Sequence, residues 1–236
     1  MKRHAWRLLV LVVLCFAALQ IAFGLRVALM LWVDPQSTTF QRSEAWRLLV
    51  EKQRIEWSQQ WVPAAAISSY LKRAVIASED AGFVDHSGVE WDAIEKAWGR
   101  NQRTEARTRP GATPKVVGGS TITQQLAKNL FLSGERTVLR KGQELAIVLM
   151  LETLLSKDRI LEIYLNNVEW GEGVFGAQAA ARHYFHVDAA RLGPEQAARL
   201  AVMLPAPKRF EKRPGSAYVL GRAATIVARM GAVELP

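Results

Sequence analysis

Glu79 and Asp80 stand side by side at the head of a short pattern, Glu79-Asp80-x-x-Phe83-x-x-His86-x-Gly88, after an apolar stretch around Ala74–Ala77. Neighbours on a helix point about 100° apart, so two such carboxylates divide their work instead of sharing it. One can enter an apolar cleft, where desolvation raises its basicity toward the range useful for general acid–base chemistry. The other can pair with a cation or with backbone groups. The plainer alternative is a helix C-terminus with two solvated acids and a packed Phe83.

A second segment, Gly118-Gly119-Ser120-Thr121-Ile122-Thr123-Gln124-Gln125-Leu126-Ala127-Lys128-Asn129-Leu130-Phe131, opens with the glycines and hydroxyls of a helix start. Free N–H groups at such a start are a natural site for phosphate oxygens. Helical spacing puts Thr121, Gln124, Gln125 and Lys128 on one polar face and Ile122, Leu126 and Leu130 on another. Hydroxyl, amides and an ammonium on one face suit a ligand wall; an amphipathic surface helix is the simpler reading. A third segment, Arg140-Lys141-x-x-Glu144, opens a very apolar helix. Glu144 shares a side with Val148, Leu151 and Leu155, and a carboxylate there needs a cation; Arg140 is one turn back. Taken alone, this reads as a buried ion pair that orients two helices. Lys157–Asn166 reads as a structural helix with Tyr164 packed, and Glu169 and Glu172 read as solvated acids of a glycine turn.

Elements must bring these distant segments together. Helical spacing or composition predicts helices over Ser43–Gln60, Ala64–Ser78, Gly88–Gly99, Ser120–Leu132, Lys141–Leu155, Lys157–Asn166, Gly173–Phe185, Pro194–Leu204 and Ala217–Met230. No stretch alternates over six or more residues as a strand would. Asn101–Gly119, rich in Arg, Thr, Pro and Gly, reads as a long mobile loop of the kind often used functionally. The expectation is an all-α fold of about 200 residues.

Composition narrows the class. The chain has 236 residues, half of them hydrophobic and 22% charged, which describes a folded protein and not a disordered one. A lone Cys15 excludes an internal disulfide framework and a multi-cysteine metal site. The mean hydropathy of +0.01 is high for such a charged chain, so apolar residues are concentrated somewhere. That place is the start: Lys2, Arg3 and Arg7 precede an uncharged run from Leu8 to Leu25, and after Arg26 the apolar character continues to Val33. As a helix, Leu8–Val33 would be about 39 Å long, enough to cross a hydrocarbon core of about 30 Å. A cleaved signal peptide would have a shorter apolar core closed by small residues, and Ala22-Phe23-Gly24 is a poor processing site. The basic flank predicts residues 1–7 inside, 8–33 as the span and 34–236 outside. The whole chain carries +9, and residues 100–141 alone hold nine basic side chains against Glu105 and Glu135. A focused positive segment beyond a membrane favours phosphate or lipid headgroups and disfavours nucleic acid.

The patterns at 79–88, 118–131 and 140–144, with KDRILEIYLNN at 157–167 and the Gly-Val-Phe-Gly…His-Tyr-Phe stretch at 173–185, occur in one order. Together they resemble the peptidoglycan glycosyltransferase domain of glycosyltransferase family 51. Trp61-Val62-Pro63 and Leu204-Pro205-x-Pro207 also fit, and the length, single anchor and lack of a following transpeptidase domain resemble the family's monofunctional members. The resemblance implies a lysozyme-like helical lobe with a smaller membrane-proximal jaw. It implies polymerisation of lipid II with inversion and release of undecaprenyl pyrophosphate. By position, Glu79 matches the catalytic base and Glu144 the second essential glutamate. Lys128 and Arg140 match residues that hold the donor's pyrophosphate, lined by Ser120, Thr121, Gln125, Asn129 and Lys141; Asp80, Phe83 and His86 of the first motif are expected on the substrate side.

The implied partners are lipid II, the growing lipid-linked glycan strand, the bilayer and other cell-wall synthesis or division proteins, at the inner membrane with a periplasmic catalytic domain. No dedicated metal cluster is visible, although Mg²⁺ or Mn²⁺ could bridge Asp80 or Glu79 to pyrophosphate oxygens. Two rival classes are a muramidase or lytic enzyme on a related fold, which would need no phosphate-binding wall, and a non-catalytic scaffold, which would need neither Glu79 nor Glu144.

Overall fold

A single helix, α1 (Lys2–Leu29), leads the computed structural model, which describes residues 2–91, 95, 99, 119–135 and 137–236. The most apolar window of α1 has a mean hydropathy of 2.8 and none of it is buried, so the helix is long and apolar enough to cross a membrane. Its last turns dock on the body. Val27 and Met30 are buried, Phe23 meets Phe131 edge-on at 5.4 Å, and the Arg26 guanidinium lies 4.8 Å over the same ring. Gln20 and Gln143 exchange two amide hydrogen bonds of 2.9 and 3.0 Å. The α-helix stops at Leu29, short of the expected Val33. The chain tightens there into i→i+3 bonds, and Arg159 draws off the Met30 carbonyl at 2.8 Å.

Helix α2 (Thr39–Lys52) begins earlier than its apolar spacing suggests, because Thr38 and Gln41 form a reciprocal capping box. It ends where Gln53 turns left-handed (φ 54°), so the segment expected to continue as helix to Gln60 instead becomes extended. Helix α3 (Ser69–Glu79) carries Glu79 at its C-terminus. Then come α4 (Ile122–Phe131), α5 (Val138–Leu154), α6 (Lys157–Asn167), α7 (Ala177–Phe185), α8 (Pro194–Met203), the short α9 (Pro207–Phe210) and α10 (Ala217–Met230). The helix expected over Gly88–Gly99 and the loop over Asn101–Gly119 fall mostly outside the described residues, as do Arg100, Arg103, Arg107, Arg109, Lys115 and Arg136.

The all-α expectation holds, with one small addition. Strands β1 (Ser58–Gln59), β2 (Glu169–Gly171) and β3 (Val174–Phe175) form a sheet in the order β1-β3-β2, with β1 parallel and β2 antiparallel to β3. Strands of two or three residues are too short to show alternation, which is why spacing missed them. Gly173 makes the hairpin fit: its φ is +70°, and a Cβ there would lie 2.0 Å from the Glu56 carbonyl.

The core runs continuously through the body. On one side α3 packs against α8 and α10; on the other α4 packs against α5, α6 and α2. Leu71, Val75, Ile76, Ile122, Leu126, Leu130, Ile147, Leu151 and Tyr164 are almost wholly buried where these helices meet. The segment leading to α3 is joined to the end of α6 through buried Asn166, whose amide bonds Val62 N–H and C=O at 2.9 Å each. Helix α4 and the start of α5 wall one opening, and the end of α3 meets that wall through Gln125.

Candidate active site

The opening is a cleft of about 310 Å³ walled by α4 and the first turns of α5. From α4 and the residue before its cap come Ser120, Gln124, Gln125, Lys128 and Asn129; from α5 come Arg140, Lys141 and Glu144; Phe40 of α2 and the Leu132–Glu135 turn complete the lining. Helix α4 stands where it does because Thr121 and Gln124 form a capping box at its start and its apolar face enters the core. Helix α5 is capped by Thr137, whose side chain accepts from Arg140 N–H.

Glu144 is buried at 3% exposure and held by two cations, Arg140 Nη1 at 2.7 Å and Lys141 Nζ at 2.5 Å. The ion pair expected from spacing is therefore present, within the cleft wall. Arg140 keeps a buried Nε without a hydrogen-bond partner among the described residues. A buried donor left unmatched is costly, and an anion entering the cleft is a natural acceptor for it.

Glu79 does not line this cleft directly. It is half-buried at the end of α3, and Gln125 Nε2, from the cleft wall, donates to its Oε2 at 2.9 Å. Ser78 Oγ lies 3.5 Å from Oε1. Desolvation raises the Glu79 carboxyl above the usual range, a shift the Gln125 hydrogen bond opposes and the nearby Asp80 charge adds to. A half-buried carboxylate of raised basicity, one hydrogen bond from a cationic cleft, is suited to accept a proton there.

Asp80 goes elsewhere. It is 4% exposed, its Oδ2 accepts from Ile122 N–H at 3.0 Å, and its Oδ1 lies 2.8 Å from His86 Nε2. His86 Nδ1 accepts from Gly88 N–H at 3.0 Å, which leaves the ring proton on Nε2 to be donated to Asp80. Phe83 is fully buried beneath the Lys157 ammonium, 4.5 Å from the ring centroid. Thr121 Oγ1 donates to Gly88 C=O at 2.6 Å while accepting from Gln124 N–H. Of these residues expected on the substrate side, Asp80 and Thr121 fasten the first motif to the start of α4, His86 supports Asp80, and Phe83 packs in the core.

The same geometry bears on two further readings. At the start of α4, Asp80 takes Ile122 N–H and the Thr121 side chain takes Gln124 N–H, so these two donors serve the fold. Asp80, His86 and Glu90 bring ligand-type atoms within 4.8 Å of one another, and in this arrangement His86 Nε2 donates to Asp80 Oδ1 while Asp80 Oδ2 accepts from Ile122 N–H. Glu169, read as a solvated turn acid, is buried between α2 and α9; Lys208 Nζ lies 3.4 Å from its Oε1 without making a hydrogen bond, and desolvation pushes the carboxyl up to about 7.

The structure brings together Ser120, Gln125, Lys128, Asn129, Arg140, Lys141 and Glu144 from the sequence expectations, with Glu79 attached through Gln125. Spacing missed Phe40 because it precedes the apolar start assigned to α2. Tyr164, assigned only to packing, reaches Gln125 Oε1 through its hydroxyl at 3.0 Å; its position one turn before Asn167 carries no signal of that contact.

Comparison with known proteins adds an independent line. The Transglycosylase family model matches residues 48–231. The chain is 52% identical over 240 residues to the biosynthetic peptidoglycan transglycosylase of Bordetella pertussis, covering 100% of this chain and 98% of that one. Its similarity to the proteins of the same name from Paraburkholderia xenovorans (52% identical, 95% and 90% covered) and Burkholderia multivorans (55% identical, 93% and 86% covered) is comparable.

Proposed function

Since the chain belongs to the transglycosylase family and is a peptidoglycan transglycosylase, we propose that it polymerises lipid II at the outer face of the inner membrane with Glu79 as general base. The acceptor's sugar hydroxyl attacks the anomeric carbon of a lipid-linked donor as Glu79 takes its proton. The new glycosidic bond forms as the bond to the diphosphate oxygen breaks, and the electron pair leaves with the polyprenyl diphosphate. A sugar hydroxyl is a weak nucleophile, so a positioned base is needed, and the departing diphosphate gains charge that fixed cations stabilise.

The observation that carries this reading is the meeting of Lys128, Arg140 and Lys141 in one cleft whose wall is hydrogen-bonded to Glu79. The unmatched Arg140 Nε gives a diphosphate oxygen a ready donor. In this reading Glu144 fixes Arg140 and Lys141 in place, and Ser120, Gln125 and Asn129 complete the donor site. The docked α1 supports a single-pass anchor that keeps the cleft near the bilayer holding the substrate's polyprenyl tail, with the basic N-terminus on the cytoplasmic side. A hydrolytic enzyme would have no use for a diphosphate wall, and a scaffold none for a basic carboxylate beside it.

The test is polymerisation of lipid II by purified full-length protein. Wild type is expected to make long glycan strands, and Glu79→Gln to lose at least about a thousandfold in turnover, in the upper part of the range for a general base, with its helical circular dichroism intact. Strong residual polymerisation by that variant would end the base assignment.

A further inference from the structure

The geometry points to Tyr164 as a positioning residue that sets the orientation of the Gln125 amide and so decides which oxygen of Glu79 receives the proton. This rests on the proposal that Glu79 is the base. Tyr164 comes from α6, is fully buried, and its hydroxyl donates to Gln125 Oε1 at 3.0 Å. Gln125 Nε2 then faces Glu79 Oε2 at 2.9 Å. The order of atoms is forced by chemistry. An ionised carboxylate only accepts, so the amide nitrogen must face Glu79, and the amide oxygen is then left for a donor. A Tyr hydroxyl at that spot supplies the donor, so the carboxylate on one side and the hydroxyl on the other together hold the amide in this orientation.

The consequence is specific to the reaction. Oε2 carries the 2.9 Å Gln125 hydrogen bond and Oε1 only the longer 3.5 Å contact from Ser78 Oγ, so a proton leaving the attacking hydroxyl is directed to Oε1. The O–H bond of the acceptor breaks, its oxygen bonds the anomeric carbon, and the proton rests on Glu79 Oε1 while Gln125 remains on Oε2. Tyr164 stays protonated throughout, since burial, reinforced by the Glu79 and Asp80 charges, pushes its ionisation well above the usual range. Among the described residues, the Asp80 charge acts on Glu79 from its own helix end, α4 contributes the neutral Gln125 and α3 the Ser78 hydroxyl, while Tyr164 of α6 feels the Glu79 charge in turn. Without the hydroxyl at 164, the amide is free to turn, and the hydrogen bond that favours ionised Glu79 weakens.

The experiment measures steady-state lipid II polymerisation across pH for wild type, Tyr164→Phe, Gln125→Ala, the double variant and Glu79→Gln. Tyr164→Phe keeps the ring and removes only the hydroxyl. It is expected to lower kcat about tenfold with KM changed less than about twofold, and to move the acidic limb of the kcat profile to higher pH. Gln125→Ala should move that limb the same way, and the double variant should move it no further than Gln125→Ala alone, because both changes act through one amide. A Tyr164→Phe profile that superimposes on wild type overturns the proposal, as does a double variant whose losses multiply. Glu79→Gln separates the two claims: if it stays active the base assignment fails, and if it is dead while Tyr164→Phe is normal only the positioning role fails. Should Tyr164→Phe lower the melting temperature, Gln125→Asn leaves the core untouched and carries an amide one methylene too short to reach both partners. It is expected to show the same displaced limb, and an unmoved limb overturns the proposal.

Discussion

The Asp80 carboxylate accepts from Ile122 N–H and pairs with His86, while the Glu79 carboxylate, one residue earlier, meets the Gln125 amide at the cleft wall. The difference follows from the end of α3, where Asp80 leaves helical geometry (φ −162°, ψ 72°) and its side chain swings into the body. Burial serves opposite purposes at the two positions: it raises the basicity of one acid and supplies α4 with a capping acceptor through the other. Glu169 gives the clearest pH prediction. Its folded carboxyl titrates near 7, above the usual 4.5, because desolvation and the charges of Glu44 and Glu211 outweigh the attraction of Lys208. The protonated form is favoured in the folded state, so this contribution to stability is fully present below the usual carboxylate range and fades as pH rises through about 7. Glu169→Gln should flatten the fall in melting temperature between pH 4.5 and about pH 7, the span between the two titrations. Melting curves of equal slope for variant and wild type would contradict this origin.

Helix α4 joins the two halves of the chemistry. Its buried face (Ile122, Leu126, Leu130) fixes it in the core, and its other side offers Gln125, Lys128 and Asn129 to the cleft. Its start is held by the loop of the first motif: Asp80 caps Ile122, and Thr121 bonds the Gly88 carbonyl. Gly88 is needed at that point for two reasons. Its φ is +83°, and a Cβ would lie 2.5 Å from Val148 Cγ1 and 2.8 Å from Glu152 Cγ. Gly88→Ala should destabilise the protein by about 2 kcal/mol or more, from a strained φ plus overpacking against α5. Because it shifts the loop that holds Thr121, it should also loosen the start of α4. Urea unfolding reads the first effect, and hydrogen exchange at the α4 amides reads the second; near wild-type values in both would show that the loop adapts.

At the scale of the whole molecule, the apolar helix α1 is attached to the body by more than chain connectivity. Gln20, the one clearly polar side chain in the Leu8–Leu25 run, pairs with Gln143 on α5, the helix that also carries Arg140 and Glu144. Phe23, Arg26, Val27 and Met30 extend the contact toward Phe131 and the core, and Arg159 ties Met30 and Asp34 to α6. Helix α1 and the cleft wall therefore form one packed unit, which fixes the cleft's height and tilt relative to α1. Gln20→Leu leaves the Gln143 amide without its partner and should cost about 1 kcal/mol in detergent micelles, the usual size of an interhelical amide contact. Replacing both glutamines with leucine should recover most of that loss. A single variant as stable as wild type would mean that lipid or water satisfies Gln143 equally well.

The sequence by itself determined what depends on local order. Apolar run length marked the long N-terminal helix, 3.6-residue spacing marked most helices of the body, and residue types marked Lys128, Arg140 and Glu144, which line one cleft. An i,i+4 relation is local, so the Arg140–Glu144 pair was legible before any fold was known. Only the tertiary structure decided which polar groups face inward. Asp80 and Thr121 have the chemistry of ligand contacts, yet each bonds a backbone group remote in the chain, with His86 supporting Asp80, and a buried hydrogen-bonding group goes wherever it can be satisfied. The same holds for Tyr164 and Glu169: one gains a role through Gln125, 39 residues earlier in the chain, and the other a raised titration, because long-range packing sets the dielectric and the neighbours that an isolated stretch of chain does not have.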